Sequence, residues 1–269
     1  MTPRQTALNL VFKVCAVAVW HRSPWLAVAI FTAPDFYLLY GMFVPGSTIL
    51  GPVLVRFVPS RPAAKEIWLT IDDGPDPEDT PRILDALDRQ GARATFFVIG
   101  ARARRHPELI RQIVERGHTV GCHSDTHPSA TFWMASPART EREVADGLAS
   151  LRVAGVATGL FRPPVGIRNP FLKTALRRSG LRCINWSIRS GDCLTSDGEA
   201  VVAHVLRLAA PGSILLMHEG PSVRAPLRVR LIEATVAALQ TAGYDCVIPP
   251  AEALRGLAQA DRTDSSAAG

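Results

Sequence analysis

From Glu66 onward the chain alternates short apolar runs with segments whose apolar residues recur every three or four positions. Ile67-Trp68-Leu69-Thr70-Ile71 has the length and composition of a buried strand, and Thr95 to Ile99 and Thr119–Cys122 read the same way. Between them, Ile83, Leu84 and Leu87 share one face of a helix that Thr80-Pro81 opens as cap and first residue and Gly91 closes. Leu109, Ile110, Ile113 and Val114 mark a helix over Pro107 to Arg116, stopped by Gly117. Further strands are predicted near Leu160-Phe161, Leu181–Trp186, Ser213–Met217 and Asp245–Val247, with helices near Pro137–Ala154, Pro170–Ser179, Gly198–Ala209 and Pro226–Ala242. This alternation predicts an α/β domain with parallel strands. About seven strand–helix units are too few for a regular eight-unit barrel but suit an incomplete one, and either architecture puts active sites at the carboxyl ends of strands.

The first 60 residues follow another pattern. They hold nine of the 18 aromatic residues, and their only charged side chains are Arg4, Lys13, Arg22, Asp35 and Arg56. Trp25 to Val44 is a 20-residue apolar run, about the length a helix needs to cross ~30 Å of hydrocarbon. Pro34 and Asp35 interrupt it, and a carboxylate near mid-bilayer costs about 2.5–3.5 kcal/mol, so this helix kinks and pairs Asp35 or lies partly in the interface. A shorter run, Leu8 to Val19, precedes it, and Trp20, His21, Arg22 and Trp25 form an interfacial turn. The two together predict a membrane-associated helical hairpin. The alternative is a cleaved signal peptide with Ala16-Val17-Ala18 as cleavage site, against which stand Lys13 in its apolar core and the second run. If both runs span, Arg56, Arg61 and Lys65 favour a cytoplasmic catalytic domain; if one spans, the domain is periplasmic. The expected location is a bacterial-type inner membrane. The division is 1–60 for the anchoring segment, 61–257 for the catalytic domain and 258–269 for a frayed, flexible tail rich in Ala, Ser and Asp.

Composition narrows the partners. With 47% hydrophobic and 20% charged residues the chain is neither disordered nor fibrous. A net charge of +6 without basic clusters argues against nucleic acid and for an anionic membrane surface. No protein partner is evident. The five cysteines lack paired spacing, so no disulfide framework or zinc ribbon is implied. Cys122 reads as a small buried residue rather than a thiolate ligand.

The chemistry lies at predicted strand ends. Asp72 and Asp73 are adjacent carboxylates where the first strand stops, and alternation along a strand points them different ways. His123 and His127 are spaced to converge on one ion. Two imidazoles and one carboxylate make a three-ligand site with positions open for water and substrate, which suits zinc, with cobalt, nickel and iron also compatible. The second carboxylate is then free to take a proton from water. In Phe161-Arg162-Pro163-Pro164-Val165-Gly166, stiff prolines hold Arg162 where it can orient that base, and His218 emerges from a strand end where it can protonate a leaving amine.

Taken in order, T-I-D-D-G-P, H-S-D-T-H, F-R-P-P-V-G-I-R-N-P and L-M-H resemble the NodB-homology polysaccharide deacetylases, carbohydrate esterase family four, over about Glu66 to Val247. The resemblance implies a distorted, incomplete (β/α)7-type barrel, the NodB homology domain, and metal-dependent removal of an N-acyl group from an amino sugar. By motif position it makes Asp72 the general base, Asp73, His123 and His127 the metal ligands, Arg162 the orienter of Asp72 and His218 the general acid. Leu216 lines the pocket for the acyl methyl, and Pro163, Trp186 and Asp192 join it in contacting substrate. Many family members carry Asp-x-x-Asp-Trp where this chain reads Arg189-Ser190-Gly191-Asp192-Cys193. The first carboxylate, which tunes the acid histidine, has become Arg189, so Glu219 or Asp192 must compensate, and replacing Trp by Cys193 removes part of the acyl-pocket wall.

The function expected is a membrane-associated, zinc-dependent amidohydrolase acting on an N-acetylated or N-formylated amino sugar of an envelope polysaccharide or lipid-linked saccharide. The lipid-linked option is similar to the action of a deformylase of undecaprenyl-linked aminoarabinose in this superfamily. The alternative is a catalytically inactive saccharide-binding homologue. A glycosidase is disfavoured, because adjacent aspartates do not flank a glycosidic bond at the ~5–9.5 Å such enzymes need.

Overall fold

The computed structural model describes residues 3–224 and 227–254. The predicted 258–269 tail lies outside the described residues.

Two apolar helices, α1 (Pro3–Val19) and α2 (Pro24–Phe43), pack on each other ahead of an alternating βα domain. Its elements are β1 (Glu66–Gly74), α3 (Asp79–Arg89), β2 (Ala94–Val98), α4 (Gly100–Arg105), α5 (Pro107–Glu115) and β3 (Thr119–Cys122). Next come α6 (Pro137–Val153), β4 (Leu160–Phe161), α7 (Leu172–Arg178), β5 (Arg182–Cys183) and β6 (Ile188–Arg189), then α8 (Gly198–Leu208), β7 (Ser213–His218), α9 (Arg228–Thr241) and β8 (Asp245–Cys246). The strands run in the order β5-β4-β3-β2-β1-β7-β6, with β8 also on β1, and every pairing is parallel. The sheet curls into a half-barrel, as the incomplete-barrel reading expects.

Alternation along β1 sorts its residues between two cores. Ile67, Leu69 and Ile71 face the helices and pack with Ile83, Leu84 and Leu87 of α3. Trp68 faces the barrel interior with Phe97, Ile184 and Ile214. The same period carries Thr70 and Asp72 inward, so the register that buries Trp68 also aims the first carboxylate at the barrel axis.

The segment after α2 belongs to this interior. Leu54 donates to Cys183 O and accepts from Asn185 N, while Phe57 donates to Gly212 O, at 2.9, 2.8 and 2.9 Å. Leu54 and Phe57 thereby join the inner core beside the open edge of β5. Arg168, 2% exposed, fastens the end of α2 to the loop that follows β4. Its backbone N–H donates to Met42 O at 3.1 Å, and its guanidinium donates to the carbonyls of Gly41, Val44, Ser47 and Gly51. A cation gathering carbonyls left open at a helix C-terminus satisfies them and opposes the negative end of the helix dipole.

Three predicted elements differ. Thr80 lies inside α3, which begins at Asp79; its hydroxyl accepts from Asp76 N at 2.8 Å and donates to the Glu219 carboxyl instead of capping the helix. The strand predicted over Leu181–Trp186 breaks, because Ile184 and Asn185 pair with Leu54 and the chain resumes as β6 beside β7. The first strand also continues through both aspartates to Gly74.

Candidate active site

The two adjacent aspartates reach the same mouth because the strand is irregular between them. The β1–β2 register shifts between Asp72 and Gly74, and Asp73 has φ 73°. A bulge of this kind re-aims one side chain. Without it, alternation would send the Asp73 carboxylate toward the helices.

Asp73 Oδ1 stands 3.6 Å from His123 Nε2 and 3.4 Å from His127 Nε2. Its other oxygen accepts from the Ser222 hydroxyl. His123 Nδ1 lies 2.8 Å from the Arg162 carbonyl, to which it donates, so its Nε2 lone pair faces Asp73. His127 is held neutral, its pKa pushed down to about 4 by burial first and then by the His123 charge, against the pull of Asp73 and Asp72. Burial would raise the Asp73 carboxyl, but the neighbouring His123 and His127 imidazoles, the Ser222 hydrogen bond and His218 bring it below its ordinary range. The three donor atoms lie within 4.8 Å of one another. Donors bonded at ~2.0–2.2 Å to a tetrahedral ion stand roughly 3.4 Å apart, so one carboxylate and two imidazoles at these distances fit a zinc-type cation.

The loop carrying both histidines has φ 62° at Ser124 and 53° at His127. Two helices brace it. Glu143 of α6 accepts from Asp125 N, Thr126 N and Thr126 Oγ1 at 3.1, 2.9 and 2.6 Å, while Arg104 of α4 pairs with Asp125. Asp125 is thus committed to structure. Glu143 escaped the sequence reading, though the sign was present: it is a charged residue on the buried stripe of Thr140, Val144, Gly147 and Leu148.

Asp72 Oδ1 accepts from Arg162 Nη1 at 2.6 Å, and Asp72 Oδ2 lies 3.6 Å from His123 Nε2. Arg162 is fully buried. Its remaining donors go to Thr70 Oγ1, Ile184 O and Asn185 O, and its guanidinium carbon lies 4.1 Å from the Phe97 ring centroid and 5.7 Å from that of Trp186. Pro163, the next residue in the chain, is also buried. Cys122 is buried with its thiol pushed up to about 12, chiefly by burial, and stands outside the Asp73–His123–His127 group.

On β7, His218 pairs in register with Asp72, and Leu216 pairs with Thr70 on the same face. Asp192 accepts from His218 N at 2.7 Å and from His218 Nδ1 at 2.8 Å. Burial alone would lower the His218 pKa. The Asp192 hydrogen bond, contact with Cys193 and the charges of Asp192 and Asp72 outweigh it, so the imidazole is raised well above 6.5. Asp192 is thus the carboxylate that holds His218, one of the two candidates to stand in for the acid replaced by Arg189. Glu219, the other candidate, does not: its side chain turns away from His218 to Thr80 on α3.

A parallel half-barrel with an Asp–His–His group, an Arg-held carboxylate and a carboxylate-held histidine at its strand ends defines a hydrolase of the carbohydrate-esterase type. Residues 60–184 match the family model for polysaccharide deacetylase. The chain is 37% identical over 190 residues to the chitooligosaccharide deacetylase of Sinorhizobium fredii, covering 69% of this chain and 87% of that one. It is 34% identical to a peptidoglycan-N-acetylglucosamine deacetylase of Bacillus cereus, with 67% and 84% covered. Among solved structures it is similar to a family 4 carbohydrate esterase from Streptomyces lividans in complex with acetate, at TM-score 0.61, 32% identity and coverage of 68% and 92%. It is also similar to a mutant of BA3943, a pseudoenzyme of the same family with restored activity, at TM-score 0.63, 26% identity and coverage of 72% and 68%. The chain belongs to the polysaccharide deacetylase family, carbohydrate esterase family 4, whose deacetylases hydrolyse amide C–N bonds.

Proposed function

We propose that this chain is a metal-dependent N-deacylase of an amino sugar in an envelope saccharide, with Asp73, His123 and His127 as ligands, Asp72 as base and His218 as acid. The observation that carries the reading is the register of Asp72 with His218 on neighbouring strands, next to the Asp73–His123–His127 group, with Asp72 Oδ2 3.6 Å from His123 Nε2. A divalent cation of the zinc type, when bound, supplies polarisation of the amide carbonyl and acidifies a water molecule. Asp72, held by Arg162, accepts the proton as water attacks the carbonyl carbon. His218, kept cationic by Asp192, donates a proton to the amine nitrogen as the C–N bond breaks, leaving a free carboxylic acid and an amino sugar. Leu216, on the face that carries His218, and Trp186, over the Arg162 guanidinium, are assigned to the acyl group. Pro163 and Asp192 support that wall from behind their catalytic neighbours.

The same chain is proposed to work at a membrane. α2 is 20 residues long, and Phe31, Phe36, Tyr37, Tyr40 and Phe43 on it are exposed. The Arg168 clamp joins its domain-proximal end to the loop after Arg162, and Asn169 in that loop donates to Phe132 O in the segment after His127. Phe43 also meets Trp133 at 6.1 Å between ring centroids. These links hold the mouth of the site near the end of the anchor, which favours a saccharide presented close to the lipid surface.

Purified protein should release acetate or formate from at least one member of a panel of N-acylated chitooligosaccharides, peptidoglycan fragments and lipid-linked amino sugars. Release should stop with chelator and return with zinc. An inactive saccharide-binding reading rests on the Arg189–Cys193 departure and the pseudoenzyme likeness; metal retention and saccharide binding without acid release from any substrate would establish it. Recovery of the protein in the soluble fraction without detergent would remove the membrane assignment.

A further inference from the structure

Cys193 follows Asp192 in the loop after β6, and its surroundings give it a chemistry of its own. It is partly exposed and free. Its thiol lies close to the side chains of both His218 and Asp192. Asp192, Cys193 and His218 each offer a donor atom within 4.8 Å of the others, a group separate from Asp73, His123 and His127.

We infer that Asp192, Cys193 and His218 form a second, inhibitory site for a thiophilic divalent cation, zinc or cobalt, built around the proposed acid histidine. Carboxylate, thiolate and imidazole are the donors that zinc takes in mixed sites, and thiolate raises selectivity for such ions over calcium or magnesium. At present a proton lies between His218 Nδ1 and Asp192 Oδ1, 2.8 Å apart. On binding, the ion would displace that proton and part the pair from 2.8 Å to the roughly 3.4 Å that tetrahedral donors need, gaining one bond each to Asp192 oxygen, Cys193 sulfur and His218 nitrogen and releasing the thiol proton and the Nδ1 proton to solvent. His218 is left neutral with its remaining N–H too weakly acidic to protonate an amine. A thiol beside the acid therefore makes excess zinc an inhibitor of an enzyme that zinc activates, a consequence that rests on the deacylase reading although the site itself does not.

Cobalt(II) distinguishes the two sites without relying on activity, because Asp73, His123 and His127 offer only oxygen and nitrogen. Titrating metal-free protein in detergent with cobalt should give weak visible bands first, then an intense near-ultraviolet sulfur-to-cobalt charge-transfer band. That band should vanish in Cys193→Ser and persist in Asp73→Asn. Survival of the first visible bands in Cys193→Ser shows that the variant is folded. Excess zinc should inhibit acyl release from the native chain, and Cys193→Ser should need at least roughly tenfold more. Absence of the charge-transfer band, or its persistence in Cys193→Ser, overturns the site. A band that obeys these rules in a protein releasing no acid leaves the site standing and removes the function.

Discussion

Two clusters of aspartate and histidine lie at one end of the same half-barrel, and one imidazole in each is shifted in the opposite direction from the other. On the β1–β3 side, the His127 pKa is pushed down to about 4, because burial and the neighbouring His123 act together against its charge. On the β6–β7 side, His218 is raised well above 6.5 although burial opposes it too, because Asp192 aims a carboxylate oxygen at its Nδ1. The nearest carboxylate to His127 is 3.4 Å away and shared with His123, whereas that of His218 is at hydrogen-bond distance and its own. Whether an imidazole is a lone-pair donor or a proton donor is decided by the direction and sharing of one carboxylate.

The strongest attack on this division is Asp72→Asn, which removes the proposed base while leaving the Asp73–His123–His127 group and the Asp192–His218 hydrogen bond in place. Acyl release should fall by about 10³-fold with bound metal unchanged. Loss of metal together with activity would show that Asp72 is a ligand and the clusters are not divided as described. Asp192→Asn attacks the other side. A general acid works only while protonated, so activity is lost as pH rises through the His218 pKa. With the carboxylate gone, that alkaline limb should move to lower pH, and the rate near neutrality should fall roughly 10²-fold. An unmoved limb in the kcat/KM profile would mean that Asp192 does not set the charge of His218.

Glu143→Gln should perturb only the first cluster, since Glu143 braces the histidine loop through Asp125 and Thr126 and touches neither Asp192 nor His218. Metal affinity should weaken roughly 10–100-fold while the alkaline limb stays in place. Metal titration and pH profiles on the same preparation separate the two effects.

The sequence carried the βα alternation and all six principal polar residues because strand ends and residue types are local signals. The bulge at Asp73 was not legible, since nothing in Asp-Asp-Gly-Pro says which carboxylate turns. Nor was the partner of His218: two acids, Asp192 and Glu219, lay within reach in the chain, and only the return of β6 beside β7 places Asp192 on the imidazole. The break of the predicted Leu181–Trp186 strand had the same source, because Leu54, more than a hundred residues upstream, takes the pairing of Ile184. Asp76 likewise draws the Thr80 hydroxyl away from capping.

Glu219 supplies the control case, a buried acid with no ion pair among the described residues. It is fully buried beside His218, its Oε2 accepts from the Thr80 hydroxyl and its Oε1 has no partner among the described residues. Burial first, then the charges of Asp76 and Asp79, push its pKa up to about 8 despite the Thr80 bond. The folded state thus holds a proton that the unfolded chain releases near 4.5. Its contribution to stability is complete below the unfolded pKa and is lost as pH rises through about 8. At about 1.4 kcal/mol per unit, that loss amounts to a few kcal/mol. Glu219→Gln keeps the shape and cannot ionise, so its advantage over the native chain should grow between pH 5 and pH 9 in thermal unfolding, a range chosen to span the approximate pKa of 8. Parallel stability profiles for the two proteins would mean that Glu219 is ionised in place, and that a buried carboxyl here needs no directed cation to stay charged.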